Sequence, residues 1–121
     1  IELVSSGEPT TIDNCTIYSN NNGDGIQSGA CDGTVTDCII TSNTAWGIDS
    51  TNTLIINVSY TDTWGNTSGS YDDLTKIIVG TGCKNVDPLF VNPGSFDFHL
   101  QAGSQCRNAA SDGGDIGYRY P

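Results

Sequence analysis

Thr11-Ile12-Asp13-Asn14-Cys15-Thr16-Ile17 returns 23 residues later as Thr34-Val35-Thr36-Asp37-Cys38-Ile39-Ile40, and Leu54-Ile55-Ile56-Asn57-Val58-Ser59-Tyr60 can be laid beneath both. Three columns of this alignment are largely apolar: Ile12/Val35/Ile55, Cys15/Cys38/Val58 and Ile17/Ile40/Tyr60. A polar column, Asn14/Asp37/Asn57, runs beside them, and Asn20 and Asn43 follow. Farther along, Ile1-Glu2, Ile26-Gln27 and Ile48-Asp49 form an equivalent set with steps of 25 and 22 residues. A unit of this size cannot bury its own apolar face, so it must stack on the next one.

Short β segments joined by polar turns predict a parallel solenoid. Successive windings lie about 4.8 Å apart, so like side chains sit on like. Inward Ile, Val and Cys then build core ladders, while turn Asn side chains hydrogen-bond backbone groups that have no strand partner. Asn20 and Asn43 are read as such ladder residues. An antiparallel sandwich would need hairpin turns, for which Asn22-Gly23 and Asp32-Gly33 are the candidates, but the column register accounts for more residues.

Composition agrees with an all-β chain. Asp, Asn, Ser, Thr and Gly make up more than half of the 121 residues, and these favour turns, caps and strands over long helices. Fourteen acids against four bases give a formal charge of −10, which opposes binding to nucleic acid or anionic lipid. No apolar run approaches the roughly 20 residues of a membrane-spanning helix. The simplest role for so much Asp is a solvated surface; Ca²⁺ is the one cofactor that clustered carboxylates would suit. Five Cys without a CxxC spacing, and one His, argue against zinc.

After Trp64-Gly65 the register is expected to break, with a polar loop from Asn66 to Asp73 and a short strand at Ile77-Ile78-Val79. The division expected is coils over 1–82 and an irregular segment over 83–121 that closes the last coil, hiding its open end.

Asn14-Cys15-Thr16-Ile17-Tyr18-Ser19-Asn20 and Asp37-Cys38-Ile39-Ile40-Thr41-Ser42-Asn43 resemble the repeat of right-handed parallel β-helix proteins, the pectate-lyase-like superfamily. The tail blocks Asp87-Pro88-Leu89-Phe90-Val91, Asp97-Phe98-His99-Leu100-Gln101-Ala102-Gly103-Ser104 and Gly114-Asp115-Ile116-Gly117-Tyr118 are similar to the ending of many secreted bacterial β-helix proteins. The resemblance implies a right-handed β-helix of three to four coils and an extracellular or cell-surface location. Three sequons, at Asn14, Asn57 and Asn66, point the same way. It does not choose an activity, because the fold hosts many.

Elimination at a sugar acid needs a Lys or Arg base, and Lys76, Lys84, Arg107 and Arg119 all fall outside the clear repeats. Hydrolysis needs paired carboxylates at a fixed separation, and no Asp pair stands out. His99, between Phe98 and Leu100, reads as an outward strand residue, and Asp87, Asp97 and Asp115 as turn residues. The candidate surface site is made by stacking. Glu2, Gln27 and Asp49 should point outward one rung apart, and Trp46 and Trp64 precede Gly47 and Gly65 near that face. Such rings and polar groups suit a glycan, although packing of both Trp over a corner is the simpler alternative.

Cys15 and Cys38 fit an inward ladder of free thiols, with an inter-rung disulfide as the alternative. Cys83 and Cys106 lie in the closing segment and are the preferred disulfide pair. Ile1 falls in the inward column, so the first coil is expected to continue into upstream coils or to be covered head to tail by another copy, a contact that propagates as a filament. Two functions remain: a secreted, noncatalytic scaffold or glycan-binding element, and the C-terminal part of a polysaccharide-active enzyme whose catalytic rungs lie elsewhere.

Overall fold

The computed structural model describes residues 1–3, 8–29, 31–51 and 55–121. The chain winds about three turns of a parallel β-solenoid with three faces. On the first face, β1 (Glu2–Leu3), β4 (Ile26–Ser28), β7 (Trp46–Ser50) and β9 (Gly69–Tyr71) form sheet A. On the second, β2 (Thr10–Asp13), β5 (Gly33–Thr36), β8 (Ile56–Ser59) and β10 (Ile77–Val79) form sheet B. Sheet C pairs β3 (Thr16–Tyr18) with β6 (Ile39–Thr41) and continues by single bridges from Ile39 to Asp62 and from Asp62 to Lys84. All pairing within these three sheets is parallel.

The core follows from alternation along each strand. In β8, Ile56 and Val58 are buried while Asn57 between them is exposed, as period-two side chains on a one-sided sheet require. Ile26, Val35, Ile40, Ile48 and Ile56 are each 0% exposed, and each such burial is worth about 1.5–3 kcal/mol relative to an exposed side chain. Leu3, Ile12, Cys31, Cys38, Val58 and Ile77 complete this cluster.

The first two windows pair as the alignment predicts: Ile12 lies against Val35, and Ile17 against Ile40. The third is displaced by three residues. Val58 stacks on Val35 instead of Cys38, and Asn57 on Thr34 instead of Asp37. Leu54, the first residue of that window, lies outside the described residues. The position above Cys15 and Cys38 belongs to Thr61. Cys15 Sγ donates to Asp13 O at 3.2 Å, Cys38 Sγ to Thr36 O at 3.1 Å and Thr61 Oγ1 to Ser59 O at 2.9 Å, so a hydroxyl replaces the thiol without changing the corner.

Backbone conformation marks the corners. Asn14, Asp37, Tyr60 and Gly82 have φ of 50°, 55°, 47° and 77°, and Ser19, Ser42 and Gly65 have φ of 55°, 61° and 68°. Asn and Asp tolerate this left-handed region and Gly has no Cβ to oppose it, whereas Tyr60 is a bulky outlier. A Cβ on Gly82 would lie 2.4 Å from the Tyr60 ring, so the last corner is glycine for lack of room as well as for its φ.

The register does not break after Gly65. Asn66 continues the asparagine ladder: Asn20 N–H donates to Asn43 Oδ1 at 2.9 Å, and Asn43 N–H and Nδ2 both donate to Asn66 Oδ1, at 3.1 and 2.8 Å. β9 and β10 then pair with β7 and β8. The strand expected at Ile77-Ile78-Val79 is β10.

Beyond Lys84 the chain doubles back as a strap. β11 (Phe90–Asn92) and β12 (Asp97–Leu100) pair antiparallel about a 3-10 turn at Pro93–Ser95. The strap lies along sheet C. Tyr118 N–H donates to Thr16 Oγ1, Gly117 N–H to Asp37 O, and Val86 N–H to Asp62 Oδ1, reaching three successive rungs. It buries the outward side of Ile39 in a second cluster with Phe90, Cys106, Ala110 and Ile116. Leu74, Ile78 and Val79 on the last rung stay exposed. Among the described residues no helix is long and apolar enough to cross a membrane.

All five cysteines are free thiols. The expected Cys83–Cys106 bond is not formed, because the two belong to different packing environments. Cys83 rests against the solenoid core with Sγ 3.6 Å from Val58 O, whereas Cys106 sits in the strap cluster with Sγ 3.4 Å from Asp62 Oδ2.

Candidate functional site

Glu2, Gln27 and Asp49 stack one rung apart on sheet A, as the sequence predicts. Asp72, one rung beyond Asp49, extends the column. Asp72 Oδ1 accepts Ser50 N–H at 2.9 Å and Asp24 Oδ1 accepts Trp46 N–H at 2.8 Å, so two carboxylates are fixed on either side of Asp49. Partial burial, then hydrogen bonding and repulsion from Asp72 and Asp24, pushes the Asp49 carboxyl up to about 7. This face is a strip of crowded acid that responds to proton concentration. Among the described residues, no group of three or more His, Cys, Asp or Glu side chains is arranged to hold a metal ion.

The two tryptophans are not neighbours. Trp46, in β7, pairs with Gly69, and its ring occupies the space a Cβ on Gly69 would need, 2.8 Å away. It packs over a rung. Trp64 stands on sheet C in the column of Tyr18 and Thr41, where Thr41 Oγ1 donates to Trp64 O at 2.5 Å. The five-residue group Glu2, Gln27, Asp49, Trp46 and Trp64 therefore divides, with four on sheet A and Trp64 apart.

Trp64 opens onto a groove of about 310 Å³ between sheet C and the strap. Its solenoid wall is Tyr18, Thr41, Ser42 and Trp64, and its strap wall includes Asp87, Leu89, Phe90 and Gln101. Local chemistry builds each wall. Ser42 and Gly65 turn the sheet C corner in the left-handed region. Asp87 Oδ1 accepts Leu89 N–H at 2.9 Å, and Gln101 Nε2 donates to Phe90 O at 3.0 Å, two bonds internal to the strap that fix its own wall. Tyr18, Phe90 and Phe98 interlock beneath, with centroids 5.2–6.1 Å apart in tilted and edge-on contacts that aromatic quadrupoles favour.

Two further clefts involve the strap, of which the first shares Tyr18 and Pro93 with this groove. One, of about 540 Å³, lies between Tyr18, Ser19 and Asn21 on the coil and Pro93, Phe96 and Phe98 on the strap. The other, of about 530 Å³, is lined by Phe98, His99, Arg107, Tyr118, Arg119 and Tyr120, among others. In the latter His99 stacks on Tyr120 at 3.6 Å and contacts Asp97 at 2.6 Å. Hydrogen bonds from His99 hold the Asp97 carboxyl below its usual range. Tyr120 is fixed at both ends, since its hydroxyl accepts Phe98 N–H at 2.9 Å. Arg119 grips Asp112 with two bonds of 2.7 Å, and that pairing brings the Asp112 carboxyl down to about 2.

Sequence reasoning placed Trp64 in a binding role but missed Tyr18, Asp87, Phe96, Gln101 and Tyr118. One signal was present: all three Phe and two of the five Tyr fall beyond residue 85, in a segment with little core of its own to need them. Compared with known proteins, the chain matches no family model and no curated sequence.

Proposed function

We propose that this chain is a secreted, noncatalytic β-solenoid scaffold that binds carbohydrate in the groove between sheet C and the strap. The observation that carries the reading is Trp64. Trp64 is 37% exposed in the lining of a concave site whose other groups include the Ser42 hydroxyl, the Asp87 carboxylate and the Gln101 amide. An aromatic plane covers the apolar face of a sugar while side-chain donors and acceptors take its hydroxyls. The likeness of the Asn-Cys-Thr-Ile repeat and the tail blocks to β-helix proteins supports the secreted habit.

Binding is favoured over turnover by the groove's own chemistry. Its lining has one carboxylate and no Lys, Arg or His, whereas glycoside hydrolysis uses two carboxyl groups and elimination a positioned base. The scaffold part of the proposal assigns stacking of another copy, or of upstream coils, to the first rung, where Ile1 is exposed.

A glycan array followed by calorimetry tests the reading. Wild type should bind a defined set of glycans, and Trp64→Ala should weaken that binding about tenfold or more, the loss expected for one stacking ring. Unchanged binding by Trp64→Ala, or no glycan bound by wild type, would overturn it.

A further inference from the structure

The exposed aromatic side chains gather in one region of this molecule. The exposed aliphatics are spread more widely: Ile1 on the first rung, Leu74, Ile78 and Val79 on the last, and Val91 on the strap. The exposed aromatics are Trp64, Phe96, Tyr118 and Tyr120, and every one of them lines a cleft along the strap. Scattered exposed apolar residues need no explanation, but large rings confined to one junction do.

The clefts also share walls. The Trp64 groove and the Phe96 cleft have Tyr18 and Pro93 in common, and the Phe96 and Tyr118 clefts have Phe98 in common. Phe96 is 79% exposed and holds φ of 60°, a conformation that favours Asn or Gly over a bulky side chain. A ring kept in that position covers nothing of the core. Tyr120 is locked by the Phe98 amide, and Tyr118 meets it edge-on at 5.0 Å, so the far end is preorganised before any ligand arrives.

From these observations we infer that the three clefts form one continuous track for a linear oligosaccharide of several units, with Trp64, Phe96 and Tyr118 as successive stacking platforms. The inference rests on the carbohydrate reading above and extends it from a single groove to a polymer laid along the strap. Each platform adds contact area to a chain already anchored at its neighbour, so affinity rises with ligand length as linked contacts reinforce one another.

Calorimetry with cello-, xylo-, manno- and laminari-oligosaccharides of two to eight units tests it. Binding that depends on Trp64 should strengthen at least tenfold between the disaccharide and the hexasaccharide of the preferred series. Phe96→Asn, which suits the left-handed backbone, and Tyr118→Ala should each weaken octasaccharide binding about tenfold while leaving the disaccharide at Trp64 unaffected. Unchanged melting curves will show that both variants fold. Equal affinity for disaccharide and octasaccharide, or wild-type octasaccharide binding by both variants, overturns the track and leaves the Trp64 groove standing. Absence of Trp64-dependent binding to all four series overturns the carbohydrate reading and the track with it.

Discussion

Ser111 gives both of its donors to Asp37: the backbone N–H reaches Oδ1 at 2.7 Å and the hydroxyl reaches Oδ2 at 2.6 Å. Asp37 is a corner residue of the second turn, 4% exposed, and its carbonyl accepts Gly117 N–H as well. Its carboxylate thus joins two parts of the chain 74 positions apart. Replacing it with Ala removes both bonds to Ser111, at a cost of about 1.5–3 kcal/mol for bonds to a carboxylate. Asp37→Asn, which keeps the tolerance for positive φ, should cost less. Urea unfolding gives the difference. Amide exchange should show residues 106–118 opening first while Val35 and Ile40 stay protected.

Asn66→Ala should destabilise the coil more than Asn20→Ala. Asn66 Oδ1 satisfies two donors of Asn43, which is 0% exposed, and Asn66 Nδ2 satisfies Ile40 O. Removing the side chain orphans buried groups that cost about 1–3 kcal/mol each. Asn20 is exposed, and its Nδ2 bond to Asp24 O can be replaced by water. Denaturation midpoints of the two variants measure the contrast, and equal midpoints would contradict the ladder.

Stability should fall as pH rises from about 4 to 8 through the Asp49 strip. The folded carboxyl titrates near 7 against an ordinary value of 3.8, so the folded state binds more protons than the unfolded chain throughout that window. Its favourable contribution is complete below 3.8 and is lost as pH passes through 7. Asp49→Asn should flatten the profile and raise stability at pH 8 by about 0.2–1 kcal/mol, the scale of like charges facing across strands. Asp73, Asp97 and Asp112 are shifted the other way, so their contributions are present above their ordinary values and fade in acid. Melting temperatures of both proteins between pH 4 and 8.5 separate these terms.

Native alkylation should find Cys15 and Cys83 first. Both are half-buried, whereas Cys31, Cys38 and Cys106 are buried. Burial pushes the Cys38 and Cys106 thiols up to about 12, so little thiolate is available to react at pH 8. Intact mass after labelling in denaturant without reductant should show five modified thiols. A shortfall of two would reveal a bond that the packing described above does not contain.

The winding was legible wherever two turns carry the same chemistry. Ile12 over Val35, Cys15 over Cys38 and Asn20 over Asn43 are visible because each turn repeats the same side-chain type at the same step. The third corner was misread because Tyr60-Thr61-Asp62 matches Asp37-Cys38-Ile39 at no aligned position, although its backbone repeats the same left-handed turn. Corner geometry depends on φ and on an inward donor to a nearby carbonyl, and either sulfur or oxygen supplies that donor. Sheet A showed Glu2, Gln27 and Asp49 correctly, but Trp64 was assigned to the wrong face by its neighbour Gly65. The strap's clefts were invisible because they arise from contacts such as Tyr18 with Phe90 and Phe98, far apart in sequence and set by no local period.

The strap's position also determines the order in which this chain can finish folding. Thr16 on the first rung waits for Tyr118, 102 residues later, and Ile39 on the second waits for Ile116. Windings can assemble from nearby contacts while synthesis proceeds, but that flank stays bare until residues 116–118 have left the ribosome. Strap docking therefore follows winding, and in the interval the coil displays Ile39 and Tyr18 to whatever chaperone or neighbouring nascent chain reaches them first.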